Sequence, residues 1–78
     1  MDYLGEIESI ILDLGSGSPE LADRLNERFK YSSTDSELLL GCVSFLLQIQ
    51  PEVDPKIANK INNLQRFCNQ IGLYPIGN

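Results

Sequence analysis

The chain has 78 residues and a mass of 8.7 kDa, with 11 acidic and 6 basic side chains, two cysteines and no histidine. The lack of histidine removes the commonest general base and the commonest metal ligand, so we expect no enzyme activity and no cofactor. A net charge of -5 argues against binding to nucleic acid or to anionic membranes, because both need clustered lysines and arginines. The expected partners are therefore proteins.

The cysteines and the N-terminal residues indicate the cellular compartment in which we expect the protein. Cys42 and Cys68 are widely separated and form no CxxC pair, which favours a reduced, cytoplasmic protein. The first residues lack the positive charge of a signal peptide, and no apolar run approaches the ~20 residues that span a bilayer. We therefore expect neither export nor membrane anchoring.

The first helix is predicted over residues 2–14. Apolar side chains recur there at intervals of three and four residues, which marks one face for burial. Asp2 suits the N-cap, and Gly15 stands in the position that commonly follows the last turn. The segment has no basic residue, and its acidic side chains are Asp2, Glu6, Glu8 and Asp13.

A second helix is predicted over residues 19–30, because Ser18 is a suitable N-cap and Pro19 suits the first helical position. Its apolar stripe is thin, so we expect it on the outside of the fold. Glu20 and Arg24 have the i,i+4 spacing of a favourable ion pair.

The third helix, predicted over residues 34–50, is the most unusual element. Thr34 and Glu37 have the spacing of a capping box, and Pro51 ends the helix. Nine of the twelve residues over 38–49 are apolar, and a helix that is apolar nearly all round is expected at the centre of the core. The alternative is that part of this surface stays exposed and contacts a second copy or a receptor groove.

A fourth helix is predicted over residues 55–71, from the cap and proline at Asp54 and Pro55 to Gly72. Its apolar residues form a seam typical of antiparallel packing. Its polar face is rich in amides, which suit either an ordinary solvated surface or directional hydrogen bonds to a partner.

No segment shows the alternation of period two that a strand needs. The expected fold is therefore all-α, a small antiparallel bundle of four helices with the third at the centre, forming a single domain over residues 1–78. Residues 72–78 are too apolar for a free end, and we expect this tail to pack on the bundle or on a partner.

Charge differs between the two ends of the chain. The first helix carries only acidic charge, whereas residues 54–78 carry Lys56, Lys60 and Arg66 against the single Asp54. The acidic helix is either a solvated face or a docking face for a basic partner, including the last helix of a second copy.

These patterns predict a small acidic protein–protein interaction or regulatory module that forms a homodimer and binds through helix faces. An alternative is an acidic inhibitor or nucleic-acid mimic that blocks a basic site on another protein. A third possibility is a carrier role, in which a prosthetic group is attached to Ser16 or Ser18. The residues expected to contact a partner are Asp2, Glu6, Asp13, Leu39, Gly41, Phe45, Gln48, Asn62 and Tyr74.

Overall fold

The computed structural model describes residues 2–75 and confirms the all-α fold, with no strand in that part of the chain. The helices pack into a small bundle around one hydrophobic core. In chain order the elements are α1 (Tyr3–Gly17), α2 (Pro19–Lys30), α3 (Asp35–Ile49), a 3-10 turn (Gln50–Glu52) and α4 (Pro55–Gln70).

Local side-chain caps start three of the four helices. The side chains of Asp2, Thr34 and Asp54 each accept a hydrogen bond from the backbone N–H three residues further on, at 3.0–3.1 Å. Such a bond satisfies one of the orphan donors of the first helical turn. Ser18 occupies the N-cap position of α2 without a side-chain bond, and Pro19 follows it at the start of the helix.

The end of α1 differs from the prediction. The helix does not stop at Leu14 but continues through Gly17, and the Ser18 N–H donates to the Leu14 carbonyl at 2.6 Å. Gly15 stays helical where it faces α2, with Ala22 as the nearest side chain to the place a Cβ would occupy. A helical glycine costs ~1 kcal/mol relative to alanine, which packing against a neighbouring helix can offset.

Each helix packs chiefly on two neighbours: α1 contacts α2 and α4, and α3 contacts the same two helices. Cross-helix pairs show the antiparallel order, since the start of α1 meets the end of α4 where Tyr3 stacks on Phe67, ring centroids 5.6 Å apart. Nearer the other end of the same two helices, Asp13 contacts Lys60. The third helix supplies six of the fifteen buried hydrophobic residues, more than any other helix, and so contributes most to the core.

Helix α4 ends in a Schellman motif. Gly72 adopts a positive φ of 87°, a conformation open to glycine, and its N–H donates to the Asn69 carbonyl at 3.2 Å. The Leu73 N–H donates to the Cys68 carbonyl at 2.8 Å, and the Leu73 side chain packs against the core. The tail over 72–75 thus turns back onto the bundle at Leu73, while the predicted tail residues 76–78 lie outside the described residues.

Candidate docking surfaces

Two of the acidic side chains on α1 have partners within the chain. Asp2 caps its own helix, and Asp13 Oδ2 lies 2.8 Å from Lys60 Nζ on α4. The same ammonium donates to Ser9 Oγ at 2.6 Å. The hydrogen bond from Lys60 lowers the pKa of Asp13, with added attraction from Lys60 and Lys56 outweighing the effect of partial burial. The opposite charges of the first and last segments therefore meet inside one molecule.

The amide of Asn62 also has an internal partner. Gln50 Nε2 donates to Asn62 Oδ1 at 2.8 Å and to the Ala58 carbonyl at 3.1 Å. These bonds tie the 3-10 turn to the first half of α4. This long-range pair cannot be seen in the local spacing, which is why the sequence suggested a free amide at Asn62.

The four partner-contact residues predicted on α3 separate into core and surface. Leu39 is 2% exposed and Phe45 is 6% exposed, and both belong to the hydrophobic core. Gln48 is exposed, and Gly41 is half-buried with open space where a Cβ would project. Of the two other predicted residues, Glu6 is half-buried on α1 and Tyr74 is 70% exposed beyond α4.

A groove between α2 and α3 gathers two of those predicted residues. We call it the arginine groove; its cavity volume is about 600 Å³ and it is lined by Arg24, Glu27, Arg28, Tyr31, Phe45 and Gln48. Arg28 lies over the ring of Phe45, with the guanidinium carbon 5.2 Å from the centroid, which is a cation–π distance. The core aromatic thus forms the floor on which Arg28 is held.

The charge of the arginine groove is opposite in sign to that of the chain as a whole. Arg24 and Arg28 lie one helical turn apart, and Glu27 is the single acidic residue among those that line the groove. The predicted Glu20–Arg24 ion pair is absent, and within residues 2–75 the ion pair found is that of Asp13 with Lys60. Both guanidiniums therefore keep their hydrogen-bonding capacity for a ligand.

A second surface lies between α1 and α2. Ile11, Leu12 and Phe29 line a cleft of about 270 Å³ together with Glu8 and Asn26. Leu12 is 76% exposed, and Leu4, on the same side of α1 two turns earlier, is 41% exposed. We call this surface the leucine patch; its residues are Leu4, Glu8, Ile11, Leu12, Asn26 and Phe29.

Sequence reasoning missed Leu12. The buried stripe of α1 consists of Ile7, Ile10 and Leu14, and Leu12 falls outside it. The position of Leu12 outside this stripe could have been read from the sequence. Leu12 follows Glu8 by four residues and therefore stands on the polar side of the helix. An apolar residue on a polar helix face indicates a candidate docking surface.

The two cysteines and Ser16 are not arranged to bind a ligand. Burial raises the pKa of the Cys42 thiol to about 11 and raises that of Cys68, so both stay protonated and poorly nucleophilic. Ser16 Oγ donates to the Asp13 carbonyl at 2.9 Å. Within residues 2–75, no group of three histidine, cysteine or acidic side chains is arranged to hold a metal ion.

Comparisons with protein-family models, with curated proteins and with solved structures found no match to this chain. Across the described residues, no helix combines the length and the apolarity needed to cross a membrane.

Proposed function

We propose that the chain is a small protein-interaction module that forms a homodimer through the leucine patch, and that its role is binding rather than catalysis. The observation that carries this proposal is the exposure of Leu12, 76%, beside Ile11 and Phe29 in one cleft. Burial of one exposed leucine side chain is worth about 1.5–3 kcal/mol. A two-fold interface would bury this residue from both copies at once.

Charge around the leucine patch supports a second copy as the occupant. Glu8 lies in the patch on α1, and Lys30 follows Asn26 by one turn on α2. Neither side chain makes an ion pair within the described part of the chain. In a two-fold dimer, Glu8 of each copy can meet Lys30 of the other, which places a polar rim around an apolar centre.

A reducing, cytoplasmic setting belongs to the same proposal. It is supported by Cys42 and Cys68, which are free and buried. The binding role is supported by the absence of histidine from the sequence. The alternative of an acidic mimic has weaker support, because Asp2, Asp13 and Asp54 are each engaged in a cap or an ion pair.

Sedimentation equilibrium from micromolar to millimolar protein tests the homodimer. We expect dimerisation in the parent chain and a dissociation constant raised by roughly 10²-fold in Leu12→Gln, since two leucines leave the interface. Tyr74→Gln is the matched control, because Tyr74 is exposed and apolar but lies outside the patch. Circular dichroism establishes that both variants keep their helices. A parent chain that stays monomeric at millimolar concentration contradicts the proposal.

A further inference from the structure

We infer that the arginine groove binds an acidic peptide segment of a partner protein, one that carries two carboxylates a helical turn apart. This inference is independent of the homodimer, because the groove lies on the α3 side of α2 and the leucine patch lies on the α1 side. The two surfaces share no lining residue.

The spacing of the two arginines defines the ligand. Arg24 and Arg28 are four residues apart on one helix, which puts them on the same face and about 5–6 Å apart at Cβ. A planar guanidinium binds a carboxylate through two parallel hydrogen bonds. Two such forks, one turn apart, fit two acidic side chains one turn apart on a helical peptide.

The floor and rim of the groove add selectivity. The ring of Phe45 holds the Arg28 guanidinium at 5.2 Å, so less side-chain freedom is lost when a carboxylate binds. Tyr31, 79% exposed, offers an aromatic face at one end of the groove, and the Gln48 amide offers a donor and an acceptor. Arginine and tyrosine are the residue types enriched among energetically dominant contacts in interfaces.

The acidic segment is expected to come from another protein rather than from a second copy of α1. On that helix Asp2 is the cap, Asp13 is paired with Lys60, and Glu6 is half-buried. The fourth acidic residue, Glu8, lies in the leucine patch. The net charge of -5 disfavours acidic ligands elsewhere on the surface, so the local excess of arginine directs an acidic segment to the groove. Two arginines beside Glu27 do not form the extended basic track that a nucleic-acid backbone requires.

The test is a nuclear magnetic resonance titration of the isotope-labelled full chain with an alanine-based helical peptide that carries two glutamates one turn apart. The matched peptide has glutamine at both positions. We expect saturable shifts of the Arg24, Arg28, Tyr31 and Gln48 signals with the glutamate peptide only. Arg24→Gln is expected to weaken binding about tenfold, since hydrogen bonds between charged groups are the stronger ones.

Arg24→Gln is preferred to a change at Arg28, because Arg28 packs on Phe45 and we expect its loss to lower stability as well. Arg66→Gln, an exposed arginine on α4, is the control and is expected to bind like the parent. Leu12→Gln separates the two proposals, since a monomeric variant that still binds the peptide leaves this inference intact. Equal binding of the glutamine peptide, no saturation at millimolar peptide, or stronger binding of inorganic phosphate would each overturn it.

Discussion

The two edges of α2 carry different chemistry. Toward α1 the surface is apolar, with Leu12 and Phe29 at the leucine patch, whereas toward α3 it carries Arg24 and Arg28. Only Ala22 and Leu25 of this helix are buried. A helix with so narrow a buried stripe leaves both edges at the surface, so a chain of 78 residues can hold two candidate docking surfaces of opposite character.

The largest expected effect comes from removing a buried residue of α2, the helix that lies between the two surfaces. Leu25 is fully buried, so Leu25→Ala should lower the free energy of unfolding by about 2–5 kcal/mol in urea denaturation. We expect dimerisation and peptide binding to fail together in this variant. Leu12→Ala is the matched control and should change the stability of the dilute chain by only about 0.5 kcal/mol, because exposed residues contribute little. Equal losses in the two variants would show that Leu12 is packed in the monomer.

Ionic strength should separate the two surfaces. Raising it from about 0.01 M to about 1 M shortens the screening length from ~30 Å to ~3 Å. Binding of the glutamate peptide at Arg24 and Arg28 should weaken severalfold. The dimer should lose much less affinity, because burial of Leu12 is not screened by salt and exposed pairs such as Glu8 with Lys30 contribute little. The measurements are a peptide titration and sedimentation equilibrium at matched salt concentrations. A parallel loss of both affinities would contradict the division into an apolar and a charged surface.

The parts of the fold that were predictable depend on local signals. Thr34, Asp54 and Gly72 act on backbone groups within a few residues, and their caps are present in the structure. Gly15 shows the limit of such signals, because it lies within α1, beside Ala22 of another helix, instead of following the end of the helix.

The candidate surfaces were less predictable, because they depend on pairings between distant residues. Asn62 is engaged by Gln50, and Asp13 by Lys60, so two expected docking side chains serve the fold. Gln48 lines a surface groove, but its arginine neighbours there come from α2. The pattern of apolar residues along α3 does not show which residues of another helix lie beside Gln48.

A smaller effect on the free energy of unfolding is expected at Gly41, on helix α3. It precedes Phe45 by one helical turn, and a Cβ there would meet no atom within 4 Å. Its φ is not positive, so Gly41→Ala should raise the free energy of unfolding by up to about 1 kcal/mol through helix propensity. Urea denaturation measures the gain, and peptide affinity should stay unchanged. Destabilisation would mean that a Cβ at this position meets a neighbouring side chain.

The smallest effect is expected away from both surfaces, at the contact of Asp13 with Lys60. Lys60 holds the pKa of Asp13 below its ordinary value of 3.8, so the folded state favours the charged carboxylate. The resulting stabilisation is therefore present above that value and is lost as the pH falls through the lowered pKa of the folded state. Urea denaturation of the parent and Asp13→Asn should show a difference at neutral pH that disappears in acid and shrinks in high salt.

The same variant provides a check on the salt experiment. Because the side chains that join Asp13 to α4 line neither the leucine patch nor the arginine groove, Asp13→Asn should leave dimer and peptide affinities unchanged at neutral pH. A change in peptide affinity would show that the charges on α1 influence the electrostatic potential at the arginine groove. In that case the salt response of peptide binding would report on the whole molecule rather than on Arg24 and Arg28.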